Sequence, residues 1–200
     1  WRAAGNGIYQ SNVKPGDVIY VDQNKDGKIN EIDKIDLGNG MPDFTFGFSV
    51  NLDYKNFDFN VTANGVAGNK IVQSYRNHAN KKANYTSAVL DRWTGEGTSN
   101  KMPRVTEGNV NWNFSDLYLQ DGDYLRISNV SLGYDFSELV NWEYLSQFRL
   151  YAQVQNAFTF TKYNGMDPEI GYGTSSWVSG IDLGYYPRPR VYLVGVNVKF

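Results

Sequence analysis

Phe44-Thr45-Phe46-Gly47-Phe48-Ser49-Val50-Asn51-Leu52-Asp53-Tyr54 decides the fold class. Phe44, Phe46, Phe48, Val50, Leu52 and Tyr54 occupy every second position, with Thr45, Gly47, Ser49, Asn51 and Asp53 between them. Successive side chains of a strand point to opposite faces, so this spacing makes one apolar face and one polar face. A tilted strand needs about 9–11 residues to cross hydrocarbon, and this stretch is long enough.

The same pattern recurs outward from it. Lys55-Asn56 reads as a tight turn. A second strand over 57–65 sets Phe57, Phe59, Val61 and Ala63 against Asp58, Asn60, Thr62 and Asn64. A third over 124–136 sets Val130, Leu132, Tyr134 and Phe136 against Asn129, Ser131, Gly133 and Asp135. Residues 137–146 form a short connection with one helical turn around Leu139 and Leu145. A fourth strand over 147–160 alternates Phe148, Leu150, Ala152 and Val154 with Arg149, Tyr151, Gln153 and Gln155. The fifth, over 190–200, carries Tyr192, Val194, Val196, Val198 and Phe200 on one face and Gly195, Asn197 and Lys199 on the other. This last run is the pattern expected of a terminal strand recognised during outer-membrane barrel assembly.

Connection lengths alternate. Short turns follow the first and third strands, whereas 66–123 and 161–189 are long. Loops of that length are uncommon inside a compact soluble domain. Short turns on one side and long extracellular loops on the other suit an outer-membrane barrel. Five strands cannot close such a barrel, which needs about eight at least. Either two or three strands hide in the long connections or the remaining strands lie upstream; the second is expected, and residues 1–43 then form a loop region ahead of the first strand, with an extended piece at 17–21. A soluble antiparallel sandwich also alternates, but with more even connections and more Lys and Glu on its polar face. Here the polar faces are mainly Asn, Thr, Ser, Gly and Gln.

Composition narrows the function classes. The net charge of −2 provides no broad basic field, so no nucleic-acid partner is expected. The 15 Tyr and 11 Phe suit strands and the aromatic belts where a bilayer meets water. With no Cys, disulfides and thiolate metal sites are excluded. No apolar run approaches the ~18 residues of a spanning helix. The opening Trp-Arg-Ala-Ala reads as a segment of a longer protein; the alternative is a small secreted protein after processing.

The most specific chemical motif is Asp22-Gln23-Asn24-Lys25-Asp26-Gly27-Lys28-Ile29-Asn30-Glu31-Ile32-Asp33. It has the layout of an EF-hand calcium loop. Asp22, Asn24 and Asp26 would give side-chain oxygens, Lys28 its backbone carbonyl, Asn30 a direct or water-mediated contact, and Asp33 the closing carboxylate. Gly27 allows the sharp turn. Asp33 is shorter than the usual Glu, so a weak, structural Ca²⁺ site is expected. A hydrated loop of Asx turns without metal is the alternative.

No catalytic constellation emerges, and no enzyme activity is expected. His78 is the only histidine and falls in a loop. Asp167 and Glu169 could in principle do glycosidase work, but solvated loop charge is the favoured reading. Trp93, Trp112, Trp177, Tyr172, Tyr185 and Tyr186 in the long loops could stack on sugars or peptides, or pack among themselves.

Several blocks, in order along the chain, resemble the C-terminal end of SusC/RagA-type TonB-linked outer-membrane proteins of Bacteroidota. They are Lys14-Pro15-Gly16-Asp17-Val18 leading into the Asp22 loop, Leu37-Gly38 with Pro42 before Phe46-Gly47-Phe48, and Asp121-Gly122-Asp123-Tyr124-Leu125-Arg126-Ile127-Ser128-Asn129-Val130. Then come Gln155-Asn156-Ala157-Phe158-Thr159-Phe160 with Asp167-Pro168-Glu169, and Tyr186-Pro187 with Arg190. The resemblance implies the last strands of a large barrel of the 22-stranded type with an N-terminal plug. It implies TonB-powered import of a bulky nutrient, glycan or peptide, and a SusD-type surface lipoprotein as lid. The plug and the TonB-contacting segment are not in this sequence. Residues 75–98 and 172–182 match no known pattern and are where substrate choice would lie; no substrate-binding residue is assigned. The rival readings are a secreted calcium-binding β-sandwich that binds carbohydrate, and a barrel hydrolase.

Overall fold

The computed structural model describes residues 10–74, 84–108, 110–140, 142–170 and 180–200. His78, Tyr172 and Trp177 lie outside the described residues. The chain divides into two compact units, Trp1–Leu37 with Ser74–Tyr118, and Gly38–Gln73 with Leu119–Phe200.

The second unit holds the strands: β1 (Phe44–Tyr54), β2 (Phe57–Ala67), β3 (Lys70–Gln73), β4 (Leu119–Asp121), β5 (Tyr124–Asp135), β6 (Gln147–Thr161), β7 (Ile181–Asp182) and β8 (Val191–Lys199). Five of them form one antiparallel meander in the order β1-β2-β5-β6-β8. Its register keeps like with like. Val50, Val61, Val130, Val154 and Tyr192 make one cross-strand row, and Leu52, Phe59, Leu132, Ala152 and Val194 make the next. A slip of one residue would turn a whole strand's apolar set to the other face.

Among the described residues, no second layer covers the apolar face. Phe48 is 48% exposed and Val194 85%, and every residue of β1 is exposed. A sandwich would bury these side chains against a second sheet. Fully burying such a side chain is worth about 1.5–3 kcal/mol, which here requires hydrocarbon to supply the other layer. The opposite face is polar and amide-lined. Gln153 Nε2 donates to Asn129 Oδ1 (2.6 Å), Asn129 Nδ2 to Asn60 Oδ1 (3.0 Å) and Asn60 Nδ2 to Asn51 Oδ1 (2.5 Å). This run of amides crosses four strands.

The strand limits differ from the sequence reading by one or two residues at several ends: pairing carries β2 to Ala67 and β6 to Thr161, whereas β5 stops at Asp135 and β8 spans only Val191–Lys199. The larger difference is a bulge. Thr62 faces Asn129 while Ala63 faces Ile127, so Ser128 has no opposite number on β2. On the other side two residues of β6, Asn156 and Ala157, stand against Ser128. Asn156 takes the left-handed backbone conformation, φ 51°, and Ser128 Oγ ties the irregularity down by donating to Thr62 O (3.1 Å). Strict alternation from Val130 would put Arg126 on the apolar face. The bulge resets the parity. Leu125 and Ile127 then join the apolar rows, and Arg126 faces Asn64 and Thr159 on the polar side.

The connections hold more structure than alternation reveals. β3, β4 and β7 form a second sheet in the order β4-β3-β7. All three lie inside stretches read from sequence as loops, and at two to four residues each they are too short to show a period. The expected extended piece at 17–21 is not a strand. The helical turn read around Leu139 is the short helix α1 (Ser137–Val140); none forms at Leu145. The long connections, between β2 and β5 and between β6 and β8, leave from one end of the sheet, and the two short ones from the other.

On the polar face Asp58 reaches across β5 to Arg149, with Nε donating to Asp58 Oδ1 at 2.6 Å. Gly133 lies beneath: a Cβ there would stand 2.3 Å from Asp58 Oδ1 and 2.5 Å from Arg149 Nε. Gly133→Val should therefore break this pair and lower barrel stability by ~1–3 kcal/mol, measured by urea unfolding of the full-length protein in detergent. An unchanged midpoint would show that the pair has room to move.

Candidate functional site

In the first unit, Lys14-Pro15-Gly16-Asp17 forms a tight turn, closed by Asp17 N donating to Lys14 O (3.0 Å). Gly16 has φ +86°, and a Cβ on it would stand 2.3 Å from Trp93 Cε3. Trp93 thus packs on the turn. The Asp17 carboxylate is fully buried and accepts from Arg104 Nη2 at Oδ2 (3.0 Å), from Asn111 Nδ2 (2.9 Å) and from Lys14 N (2.8 Å). Asn111 returns an acceptor to Val18 N (2.8 Å). Tyr20 donates to Val110 O (2.6 Å), and burial pushes its hydroxyl above the ordinary range. A buried charge this well partnered makes a rigid anchor immediately ahead of the calcium-type loop.

The loop residues curl back on one another. Asp22 accepts Asp26 N at Oδ1 (3.2 Å) and Gly27 N at Oδ2 (2.7 Å). Asp33 accepts Gln23 N at Oδ1 (2.9 Å) and Asn30 N at Oδ2 (2.7 Å), so the two ends of the loop are tied together. Asn30 caps the single 3-10 turn Glu31–Asp33. Gly27 adopts φ +81° with open space around its Cβ position, so the turn needs its backbone freedom, not its small size. The side-chain amide of Asn24 donates to Asp26 and, with Lys28 N, holds its carboxyl below the usual range. Asp22, Asn24, Asp26, Asn30 and Asp33 are thus donors of the right type and order, together with the Lys28 carbonyl. Among the described residues, no three carboxylates or imidazoles converge into a metal-holding group. The oxygens are turned toward backbone N–H groups.

In the second unit, Asp167 and Glu169 are not solvated loop charge. Asp167 is buried, and both carboxylates engage Arg126, whose side chain is 3% exposed. Arg126 Nη2 donates to Asp167 Oδ1 at 2.5 Å. Its Nη1 lies 3.0 Å from Glu169 Oε2, a charge contact rather than an aligned hydrogen bond. Arg188 completes the group through Nη2 to Glu169 Oε1 (3.0 Å) and its backbone N to Asp167 Oδ2 (3.2 Å). Nearby, the Tyr163 hydroxyl donates to the buried Asp182, which also accepts Gly184 N (2.8 Å). Lys70 pairs with Asp121 across β3 and β4, lowering the acid and raising the base. The sequence blocks around Asp121, Arg126 and Asp167 therefore meet in space. Alternation could not show this, because the contacts run through connections.

Tyr192, Val194, Val196 and Val198 stand on the apolar face opposite Val154, Ala152, Leu150 and Phe148. Phe200 follows beyond the last pair and is 79% exposed. Of the loop aromatics, Trp93 is committed to Gly16 and Tyr186 is open to solvent.

One uncovered apolar face, one amide-lined face and long connections at a single end define the wall of an outer-membrane β-barrel. No protein-family model matches the chain. The TonB-dependent receptor P3 of Formosa agariphila is 33% identical over 205 residues, which take in 98% of this chain and 20% of that protein. The TonB-dependent receptor SusC of Bacteroides thetaiotaomicron is 31% identical over 196 residues, 96% of this chain and 18% of that one. Among solved structures, the RagAB peptide transporter superposes with a TM-score of 0.65 at 23% identity, covering 80% of this chain and 17% of that chain. The chain is a barrel segment of the SusC/RagA-type TonB-linked outer-membrane family, and it spans about one fifth of the length of the curated relatives it matches.

Proposed function

We propose that this segment is part of the wall of an importer that carries a bulky nutrient, a glycan or a peptide, across the outer membrane. Energy would come from TonB through parts of the protein outside this chain, and a SusD-type surface lipoprotein would cover the long-loop end, which faces the cell exterior. The observation that carries this reading is likeness to TonB-dependent receptors along nearly the whole chain. The run of amides on the polar face, Gln153, Asn129, Asn60 and Asn51, supports it, because uncharged hydrogen-bonding groups let a polar solute pass without trapping it. The segment does no chemistry in this reading. Deleting the gene should abolish growth on one polymeric glycan or protein digest while growth on its monomers continues, and the full-length protein should co-purify with a surface lipoprotein. Unimpaired growth on every bulky nutrient tested would sink the import reading.

We further propose that the Asp22–Asp33 loop binds one Ca²⁺ as a structural ion. The order of its oxygen donors and the left-handed turn at Gly27 support this. The shorter carboxylate of Asp33 places the affinity among weak exterior sites, ~10⁻⁴–10⁻³ M. Calorimetry of the full-length protein should show one Ca²⁺ fewer bound after Asp22→Asn with Asp26→Asn. Identical calcium uptake by the two proteins would refute the site.

A further inference from the structure

The parity reset at Ser128 has a spatial consequence. It turns Arg126 to the face opposite Leu125 and Ile127. Those two side chains belong to the apolar rows that meet lipid, so Arg126 points into the barrel lumen. Asp167, Glu169 and Arg188 come to Arg126 from the β6–β8 connection. The parts of that connection around Asp167, Glu169 and Arg188 therefore lie against the inner wall rather than stand off its rim, whereas Arg190 stacks on Phe158 of the apolar face (5.3 Å) and stays in the wall itself. Further ties hold the two described limbs of the connection, 162–170 and 180–190. Asn156 Nδ2 donates to Pro189 O (3.0 Å), Asn164 N donates to Gln120 Oε1 (2.9 Å), and β7 pairs in parallel with β3. Tyr163, folded over Gly165, bonds Asp182 and so joins one limb to the other.

We propose that the segments of the β6–β8 connection around Asp167–Glu169 and Arg188 form an inward strap that narrows the lumen near its long-loop end, and that Arg126 is the residue that positions it. Arg126 sits two residues inside the start of β5, roughly 7 Å down the wall at about 3.4 Å per residue. A solute crossing here passes beside the strap, so the strap sets an upper limit on solute width and is a specificity element. The latch is ionic and desolvated. Arg126 and Asp167 are both buried, and leaving either without the other is unfavourable, so the strap stays in. This assignment needs only the barrel, and it stands or falls independently of the import reading and of any particular substrate.

Thiol labelling tests it in the full-length protein, in the outer membrane, freed of other cysteines. Met166 lies in the strap one residue from Asp167 and is 50% exposed. With Met166→Cys, a small maleimide added to cells should react readily. A maleimide carrying a 5 kDa polyethylene glycol should react at least tenfold more slowly than with the same protein denatured in urea. Adding Arg126→Gln or Asp167→Asn should raise the bulky-reagent rate on folded barrel at least fivefold, whereas Arg126→Lys should leave it within twofold. Fold is checked by heat-modifiable electrophoretic mobility, so a variant that only lowers barrel yield does not change the rate ratio. If the bulky reagent labels Met166→Cys in the otherwise unaltered folded protein as fast as in the denatured chain, the strap does not lie inside, whatever the latch variants do. If it is excluded from all variants alike, Arg126 does not position the strap.

Discussion

The cross-strand register of the five-stranded sheet is the constraint on which everything else depends. Each strand contributes its apolar side chains to common rows, so one face of the sheet is continuously apolar and the other continuously polar. In hydrocarbon every backbone N–H and C=O must be paired, and a closed barrel is the only sheet that achieves this. β1 and β8 each keep one edge without a partner among the described strands. The chain is therefore a wall whose stability is completed by neighbouring strands and by lipid. Its burial agrees with this: among the described residues the buried apolar ones are few, and Ile71 is the only large aliphatic.

Charge does in the connections what an apolar core does in a soluble domain. Asp17 with Arg104 and Asn111 fixes the first unit ahead of the calcium-type loop. Arg126 with Asp167 and Glu169 fixes the β6–β8 connection in the second. Buried pairs of this kind add little net stability but tolerate no missing partner, and they define one conformation. The glycines serve the same end. Gly16 lets Trp93 lie on a turn, and Gly133 lets Arg149 cross a strand.

Much of the wall was legible in the sequence because a membrane strand states its orientation residue by residue. Phe44 to Tyr54 could be placed from alternation alone. The bulge at Ser128 was not legible, since the alternation 124–127 and the alternation 130–136 are each regular and differ only in phase. The short strands β3, β4 and β7 were missed because a few residues carry no period. Asp167 and Glu169 were misread as solvated, because nothing local to them announces a buried arginine 41 residues away. The calcium-type loop was legible as an ordered set of oxygen donors. In the structure the side-chain oxygens of Asp22 and Asp33 accept backbone N–H groups, so the curl is local and rests on Gly27 and the Asx side chains.

The central claim is that alternate residues of these strands face lipid and water. Spin labels placed singly at 191–199 in the full-length protein, reconstituted in liposomes, measure it directly. Collision with oxygen, which dissolves in lipid, should peak at positions 192, 194, 196 and 198, and collision with a water-soluble nickel chelate should peak at the positions between. A flat profile, or oxygen accessibility on the faces of Gly195 and Asn197, would contradict the account.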